Sequence, residues 1–476
     1  MSVRTPIIDA IETHIENEPI SFHVPGHKNG VQWHTLLPAF KKILPYDLTE
    51  ISGLDDLHDP KEAIAESQAL CARFYGAGET SYLIGGSTSG NLAMIYGTLQ
   101  EGDVVLVERD CHKSVMHALE LCKAQVVFLS SIRSSLTSHP LGLSCSTLED
   151  ALVKYPLAKA LIVTYPNYWG HINEYEPLFS YAKRKGLYIL VDEAHGPHFP
   201  LGDHIDGCPP PALRIGADIV VQSAHKMLPA LTMTGWLHFS QSIDPIVKKR
   251  VKHALQMFQS SSPSYILLAS LDGARAFLEQ SGKQSFEEAM HERDQLCEWI
   301  DQHGYLERVA DESSCADPLK IMIRATNGEA GNVLLAALNK VGIYAEMADP
   351  HMVLIVLGLG KLHPNTHERL KKVTIEREMK RKNVFFQAGA QGTVSELIRT
   401  TKNDEEAEMR SLHEAIGSVS ASDVIPYPPG VPLLLKGERI TSEHVEQLNQ
   451  YVYTGVSFQG FQPKEGLLVK GKAGEE

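Results

Sequence analysis

The chain is predicted to be α/β, with a mostly parallel sheet covered by helices and a smaller α+β domain after it. Two observations carry this. Between about residues 60 and 240, short strands rich in β-branched residues alternate with helical segments. After about 245 the alternation gives way to long helices and then to sparser strands. Short, continuously apolar strands separated by helices are the pattern of a parallel sheet buried on both faces.

The elements follow in order. "DPKEAIAESQALCARFYG" reads as a helix with Asp59 as N-cap, Pro60 in the first helical position and Gly76 as its stop. "TSYLIG" is a short strand that runs into "GSTSGNLAMIYGTL", a glycine-bounded turn and a helix. "DVVLVE", "AQVVFLS", "AKALIVTYP", "GLYILVDEA" and "ADIVVQSA" are further strands, with helices such as "HKSVMHALELCKA" and "EYEPLFSYAKRKG" between them. "DPIVKKRVKHALQMFQ" and "SYILLASLDGARAFLEQ" are long helices. "LKIMIRA", "NVLLAALNKVG", "MVLIVLGL" and "ERLKKVTIEREMKRK" make the smaller domain. We expect an N-terminal segment at 1–59, a large domain at 60–290 and a small domain at 291–476.

Composition narrows the class of function. The 476 residues suffice for two or three domains. Lys plus Arg number 44 against 58 Asp plus Glu, a formal charge of −14, which argues against nucleic acid or an anionic membrane as partner. The seven cysteines are widely spaced and odd in number, as expected of free thiols in a reducing compartment. No signal-peptide pattern opens the chain and no run approaches a membrane span. The expected location is the cytoplasm.

Doubly wound sheets bind ligands outside the carboxyl ends of their strands, and three motifs fall there. "LIGGSTSGN" (83–91) sets glycines and the hydroxyls of Ser87, Thr88 and Ser89 between a strand and a helix, which suits either a phosphate cradle or an ordinary flexible turn. It is not a P-loop, because no Gly-Lys-Ser/Thr follows. "LYILVDEAHGPHF" (187–199) leaves Asp192 at a strand end with His195 just beyond; the bland reading is a solvated loop acid. The Asp192, His195 and His198 spacing has no supporting ligand cluster, so no metal centre is expected. "ADIVVQSAHKMLPALTMTG" (217–235) places Lys226, after Ser223 and His225, in an apolar stretch with no other fixed charge from Ile219 to Ile243. Desolvation lowers the pKa of such an amine and suits it to act as a nucleophile, unless it merely snorkels to the surface.

Together the three motifs fit one cofactor. Pyridoxal 5′-phosphate needs a phosphate cradle, a lysine for its aldehyde and a carboxylate for its ring nitrogen.

The stretches "SFHVPGHKNG" (21–30), "GLDDLHDP" (53–60), "RDCHKSV" (109–115), "VDEAHGPHF" (191–199), "QSAHKMLPALT" (222–232), "SSSPSY" (260–265) and "PYPPGVPLL" (426–434) resemble the Orn/Lys/Arg decarboxylase family. The likeness runs from residue 21 to about 440, and the chain looks like the short form without an N-terminal wing domain. It implies the aspartate-aminotransferase-like, fold-type-I architecture of pyridoxal-phosphate transferases, with a seven-stranded-type sheet. It also implies α-decarboxylation of a basic amino acid in polyamine biosynthesis, arginine favoured over lysine and ornithine. By the same resemblance Lys226 forms the Schiff base, Asp192 pairs with the pyridine nitrogen, and His112 stacks on the ring. His195 lies near the phenolic oxygen and His225 by the reacting carbon. Ser87, Thr88, Ser89 and Ser223 hold the phosphate. Ser260 reaches the phosphate of a neighbouring subunit, so the implied enzyme is a homodimer with its site at the interface.

Two departures stand out. The phosphate turn reads "GGSTSGN" where the family usually has Gly-Thr-Thr or Gly-Thr-Ser, which keeps the hydroxyls. After "PYPPGVP" Lys436 takes the place of a proline in a region that approaches the substrate. Asp55, Asp56 and Glu438 are candidates for the substrate's distal group, although the first two could equally cap a helix. Other chemistry on the same fold, such as transamination with Arg399 gripping a carboxylate, and a non-catalytic paralogue are the alternatives.

Overall fold

A computed structural model describes residues 3–203, 205, 207–309, 315–375, 392–399, 407–427, 430–453, 456–459, 461–462 and 465–470, with Arg399 and Tyr427 described by backbone alone. Seven main strands run in chain order: β1 (Glu79–Leu83), β2 (Val104–Glu108), β3 (Gln125–Leu129), β4 (Ala160–Thr164), β5 (Tyr188–Asp192), β6 (Ile219–Gln222) and β7 (Gly235–Phe239). Helices α1 (Pro6–Glu16), α2 (Ala63–Tyr75), α3 (Gly86–Thr98), α4 (Lys113–Cys122), α5 (Cys145–Lys154), α6 (Tyr175–Arg184), α7 (Ala224–Met227), α8 (Pro245–Phe258) and α9 (Tyr265–Phe277) precede, separate or follow them. The chain packs as two compact units, neither of them a continuous stretch.

Unit one comprises Met1–Thr98, Tyr188–Asp206 and Pro210–Phe286. Its strands lie in the order β1–β7–β6–β5. β5 and β6 are parallel, with Asp192 opposite Val221. β7 runs against both neighbours, with Leu83 opposite Gly235 and Gln222 opposite Trp236. Three strands therefore point one way, and their carboxyl ends meet the start of β7 along one edge. The α3 N-terminus is pressed onto this edge at Gly90, where a Cβ would lie 2.6 Å from Leu83 Cδ1 and 2.7 Å from Val221 Cγ1. Behind the sheet, Arg275 and Asp272 are fully buried as a pair, and Asp272 also accepts from the Ile7 N–H at 2.9 Å. That bond ties α1 to α9.

Unit two comprises Leu99–Leu187, Gly207–Pro209 and Glu287–Glu476. β2 is parallel to both β3 and β4, and Ile398–Arg399 runs antiparallel along β3. Beyond it lies an α+β part. Leu306–Val309, Lys320–Ala325, Val353–Val356 and Met347–Ala348 form an antiparallel sheet, with helix Gly331–Lys340 packed on it. A further small core gathers Ala415, Val424, Leu434, Ile440, Val445, Leu448, Leu467 and Val469.

The expected strands are present, and the α/β class with a mostly parallel large sheet and a smaller C-terminal domain holds. β7 was not foreseen: "GWLHF" follows the lysine segment without an intervening helix. The start of α2 is corrected. Asp59 and Pro60 lie before the helix, which begins at Ala63 after Glu62. Its first-turn donors are satisfied from a distance by Asp55, whose Oδ2 accepts from the N–H groups of Glu62 (2.9 Å), Ile64 (2.9 Å) and Ala65 (3.2 Å). Pro60 cannot donate, and an acceptor at the turn's base serves three donors where an N-cap residue would serve one or two. Part of "ERLKKVTIEREMKRK" beyond residue 375 and Pro428–Pro429 of "PYPPGVPLL" lie outside the described residues.

Candidate active site

The edge of the unit-one sheet collects most of the predicted site residues. β1 feeds the turn Ile84–Gly85 and then α3, whose first-turn N–H groups have no intrahelical acceptor. Gly86 takes φ +70 and donates its N–H to the Met233 carbonyl at 2.7 Å. Ser87 is half-buried and Thr88 exposed at the start of the helix. Ser89 is buried, and its hydroxyl turns back to donate to the Gly86 carbonyl at 2.9 Å. Ser223, just past β6, donates its hydroxyl to Ser87 Oγ at 2.7 Å. The hydroxyls that follow β1 and β6, the strands on either side of β7, thus meet at the helix N-terminus.

Asp192 ends β5 and is buried. Its Oδ2 accepts from the Asn91 side-chain amide at 2.8 Å and its Oδ1 from the Ala194 N–H at 3.1 Å. Two donors fix the carboxylate plane. Lys226 lies on the short helix α7, half-buried, with Nζ 3.1 Å from His195 Nε2. The neighbouring His225 sets Nδ1 2.9 Å from the Thr234 carbonyl. A carbonyl only accepts, so Nδ1 carries the proton and Nε2 of the neutral ring has a lone pair. Burial holds the pKa of His225 below its ordinary value, and the charge on Lys226 adds to this; the Thr234 bond opposes them.

Two further predicted residues have partners of their own. Ser260 is exposed; its carbonyl accepts from His58 Nε2 at 2.8 Å and its hydroxyl from the Ser262 N–H at 3.3 Å. His112 belongs to unit two. It caps α4, where its Nδ1 accepts from the Ser114 N–H at 3.2 Å.

Unit two carries its own cavity of about 380 Å³, lined among others by Arg109, Asp110, Arg133, His139, Asp349 and Glu438. These charges pair with one another. Arg109 forms two bonds to Glu438, at 2.9 and 3.3 Å, and donates to the Pro432 and Leu433 carbonyls. Arg133 meets Asp110 at 3.1 Å, and His139 meets Asp349 at 2.7 Å. Glu438 is therefore engaged in holding its own loop, and Asp55 in capping α2.

The sequence model of the Orn/Lys/Arg decarboxylase major domain matches residues 5–306, and that of the family's C-terminal domain matches residues 380–475. The chain belongs to the Orn/Lys/Arg decarboxylase family. Its relatives include the uncharacterized protein YaaO of Bacillus subtilis, 39% identical over 96% of each chain. The arginine decarboxylase of the same organism is 30% identical, over 98% of this chain and 96% of that protein. Among solved structures, the constitutive lysine decarboxylase of Escherichia coli superimposes with a TM-score of 0.78 at 21% identity, over 98% of this chain and 82% of that one. At that identity the likeness speaks for the fold alone. It agrees with a fold-type-I large domain followed by a smaller one.

Family membership gives weight to two contacts that sequence reasoning missed. Asn91 orients Asp192. Its signal was present as the one amide in "GGSTSGN", placed on the buried side of a helix that is apolar beyond it. The Thr234 carbonyl fixes the His225 tautomer. A backbone acceptor leaves no side-chain signature, so only the fold of the 229–235 loop exposes it.

Proposed function

We propose that the chain is a pyridoxal 5′-phosphate-dependent decarboxylase of a basic amino acid, arginine first, then lysine and ornithine. The observation that carries this reading is the meeting of a lysine amine, an oriented carboxylate and a hydroxyl-lined helix N-terminus at one sheet edge. The residues fit the cofactor. Gly235 keeps the cradle open, since a Cβ there would lie 2.5 Å from the Gln222 carbonyl oxygen and 3.5 Å from the Ser87 nitrogen. A dianionic phosphate suits free N–H groups and the hydroxyls of Ser87, Thr88 and Ser223; Ser89 contributes by shaping the turn. Lys226 is the amine for the aldehyde, and Asp192 is the anion for a protonated ring nitrogen. The family resemblance gives His112 the ring and His195 the phenolic oxygen.

When bound, the cofactor supplies a conjugated ring that takes up the electron pair left on the α-carbon as CO2 departs. The chain's own residues do the rest. Asn91 and the Ala194 N–H hold Asp192 in one orientation, so its charge needs no reorganisation during the reaction. His225, kept neutral with its Nε2 lone pair available, takes up a proton and delivers it to the α-carbon, a task it shares with Lys226. The Cα–carboxylate bond is thereby replaced by Cα–H, and the amine leaves. Arginine is favoured because relatives of named activity that match along nearly their whole length are called arginine decarboxylases.

The active form is a homodimer in the cytoplasm. Exposed Ser260 is available to a second subunit. Ile20, Phe22, Val31 and Leu36 are each more than 80% exposed on one stretch of unit one, apolar side chains that a second subunit would cover. No disulfide joins any of the seven cysteines, and among the described residues no helix is long and apolar enough to cross a membrane.

The test is incubation of cofactor-loaded protein with arginine, lysine and ornithine separately, measuring CO2 and amine. Agmatine, cadaverine or putrescine from wild type and none from Lys226→Ala is the expected result. Equal release by both proteins, or none by either, contradicts the reading.

A further inference from the structure

Beneath the site lies a row of buried polar side chains that the proposed chemistry does not use. Thr80 on β1, His238 on β7, Gln222 on β6 and Glu193, one residue past β5, follow the strand order of unit one. None is more than 1% exposed. Thr80 Oγ1 lies 2.7 Å from His238 Nδ1, and His238 Nε2 lies 3.0 Å from Gln222 Oε1. The Gln222 amide donates to Glu193 Oε2 at 2.6 Å, and Glu193 Oε1 accepts from the Ala212 N–H at 2.7 Å.

These contacts have a single polarity. The Gln222 amide donates its NH2 to Glu193, so its oxygen faces His238. His238 therefore carries its proton on Nε2, and its Nδ1 accepts the Thr80 hydroxyl. Every donor points toward Glu193. Burial holds His238 neutral, its pKa lowered to about 3, and pushes Glu193 up to about 8, an effect the Gln222 and Ala212 bonds oppose. The space is fitted to the acid: a Cβ on Gly196 would lie 2.6 Å from Glu193 Cγ.

Apolar residues of similar volume fill such positions at no cost in desolvation, so a fully polar row calls for a use. Glu193 is adjacent to Asp192, and Gln222 is adjacent to Ser223. Their bond joins the segment carrying Asp192 and His195 to the segment carrying Ser223, His225 and Lys226. We propose that the Thr80–His238–Gln222–Glu193 row is a positioning strut, which sets the carboxylate and histidine of one strand end against the lysine of the next. This rests on the cofactor reading given above.

The experiment uses cofactor-loaded protein and three variants: Gln222→Leu, Glu193→Gln, and the two-site exchange Glu193→Gln with Gln222→Glu. In the exchange the amide at 193 donates to the carboxylate at 222, and both Ala212 and His238 keep an acceptor. Four quantities are read: kcat, KM, the midpoint of the pH titration of the bound cofactor's visible absorbance, and the thermal midpoint. Gln222→Leu is expected to lower kcat about tenfold with KM within about twofold, because misplacement of reacting groups acts on the chemical step. It should also move the absorbance midpoint by roughly half a pH unit or more. The exchange is expected to recover most of both losses, the mark of a pairwise coupling. Should Gln222→Leu not fold, Glu193→Gln reports the same loss, since it sets an amide against two donors at unchanged volume. A fall in thermal midpoint alone, with kcat and absorbance unchanged, overturns the proposal, as does an exchange no better than the single changes. Wild-type protein with no visible band and no CO2 release overturns the cofactor reading itself, and is told apart from those outcomes by the wild type alone.

Discussion

Each unit buries one glutamate at the carboxyl end of a parallel strand, and the two are used differently. In unit two, Glu108 ends β2 and accepts from the Thr164 N–H, Ser131 Oγ and Tyr175 Oη, each at 3.0 Å. Burial pushes its pKa up to about 7; nearby Asp110 adds to this and the three donors oppose it. In unit one, Glu193 has two donors and stands at about 8. The Glu108 donors come from three separate elements, and the next residue, Arg109, is consumed by Glu438 and two carbonyls. The Glu193 donors continue a row across the sheet, and the preceding residue is Asp192. The same device therefore closes a structural corner in one unit and aligns reactive groups in the other. What separates them is the neighbouring charge: Arg109 is paired with Glu438, whereas Asp192 is held by the Asn91 amide and the Ala194 N–H.

Substitutions on the two sides should separate activity from stability. The largest effect is expected for Asp192→Ala, which should lower kcat/KM roughly 1,000-fold, as for loss of a preorganised charge at a reacting centre. The loss should persist when activity is expressed per folded molecule; steady-state kinetics at saturating cofactor check this. Glu438→Ala should do the reverse. It leaves Arg109 buried without its counter-ion, for about 3 kcal/mol of stability by urea unfolding, with activity per folded molecule within a few-fold.

A third prediction concerns pH. The folded pKa of Glu108 stands above the value of 4.5 it has when unfolded. The folded state therefore binds the proton more tightly, and the stability this lends is complete below pH 4.5 and lost as pH rises to about 7. At 1.36 kcal/mol per pH unit, the span from 4.5 to about 7 amounts to roughly 3 kcal/mol. The stability of Glu108→Gln relative to wild type should rise across that window and stay flat above it; unfolding curves from pH 4 to 8 measure it. The smallest effect is expected for Asn91→Leu, about a tenfold loss in kcat through a freer Asp192.

Much of this contrast was legible in the sequence. The strands ending at Glu108 and Asp192, and the lone lysine after β6, followed from apolar runs closed by polar residues. Fold class and family followed from their order and motifs. What was not legible depended on bonds between residues distant in the chain. Asp55 caps a helix that starts eight residues later. Glu438 is tied to Arg109 across 329 residues. The segment before β7 is held by its Met233 and Thr234 carbonyls, which accept from the Gly86 N–H and His225 Nδ1 and which no side chain announces. The row through His238 and Gln222 was hidden, because β6 read as a buried apolar strand and β7 was not foreseen.

Reductive trapping tests the central claim most directly. Borohydride treatment of the cofactor-loaded protein, followed by peptide mass mapping, should find the pyridoxyl group on Lys226 and nowhere else in wild type, and on no residue in Lys226→Ala. A pyridoxyl group on another lysine, or none on the wild type, would contradict the account.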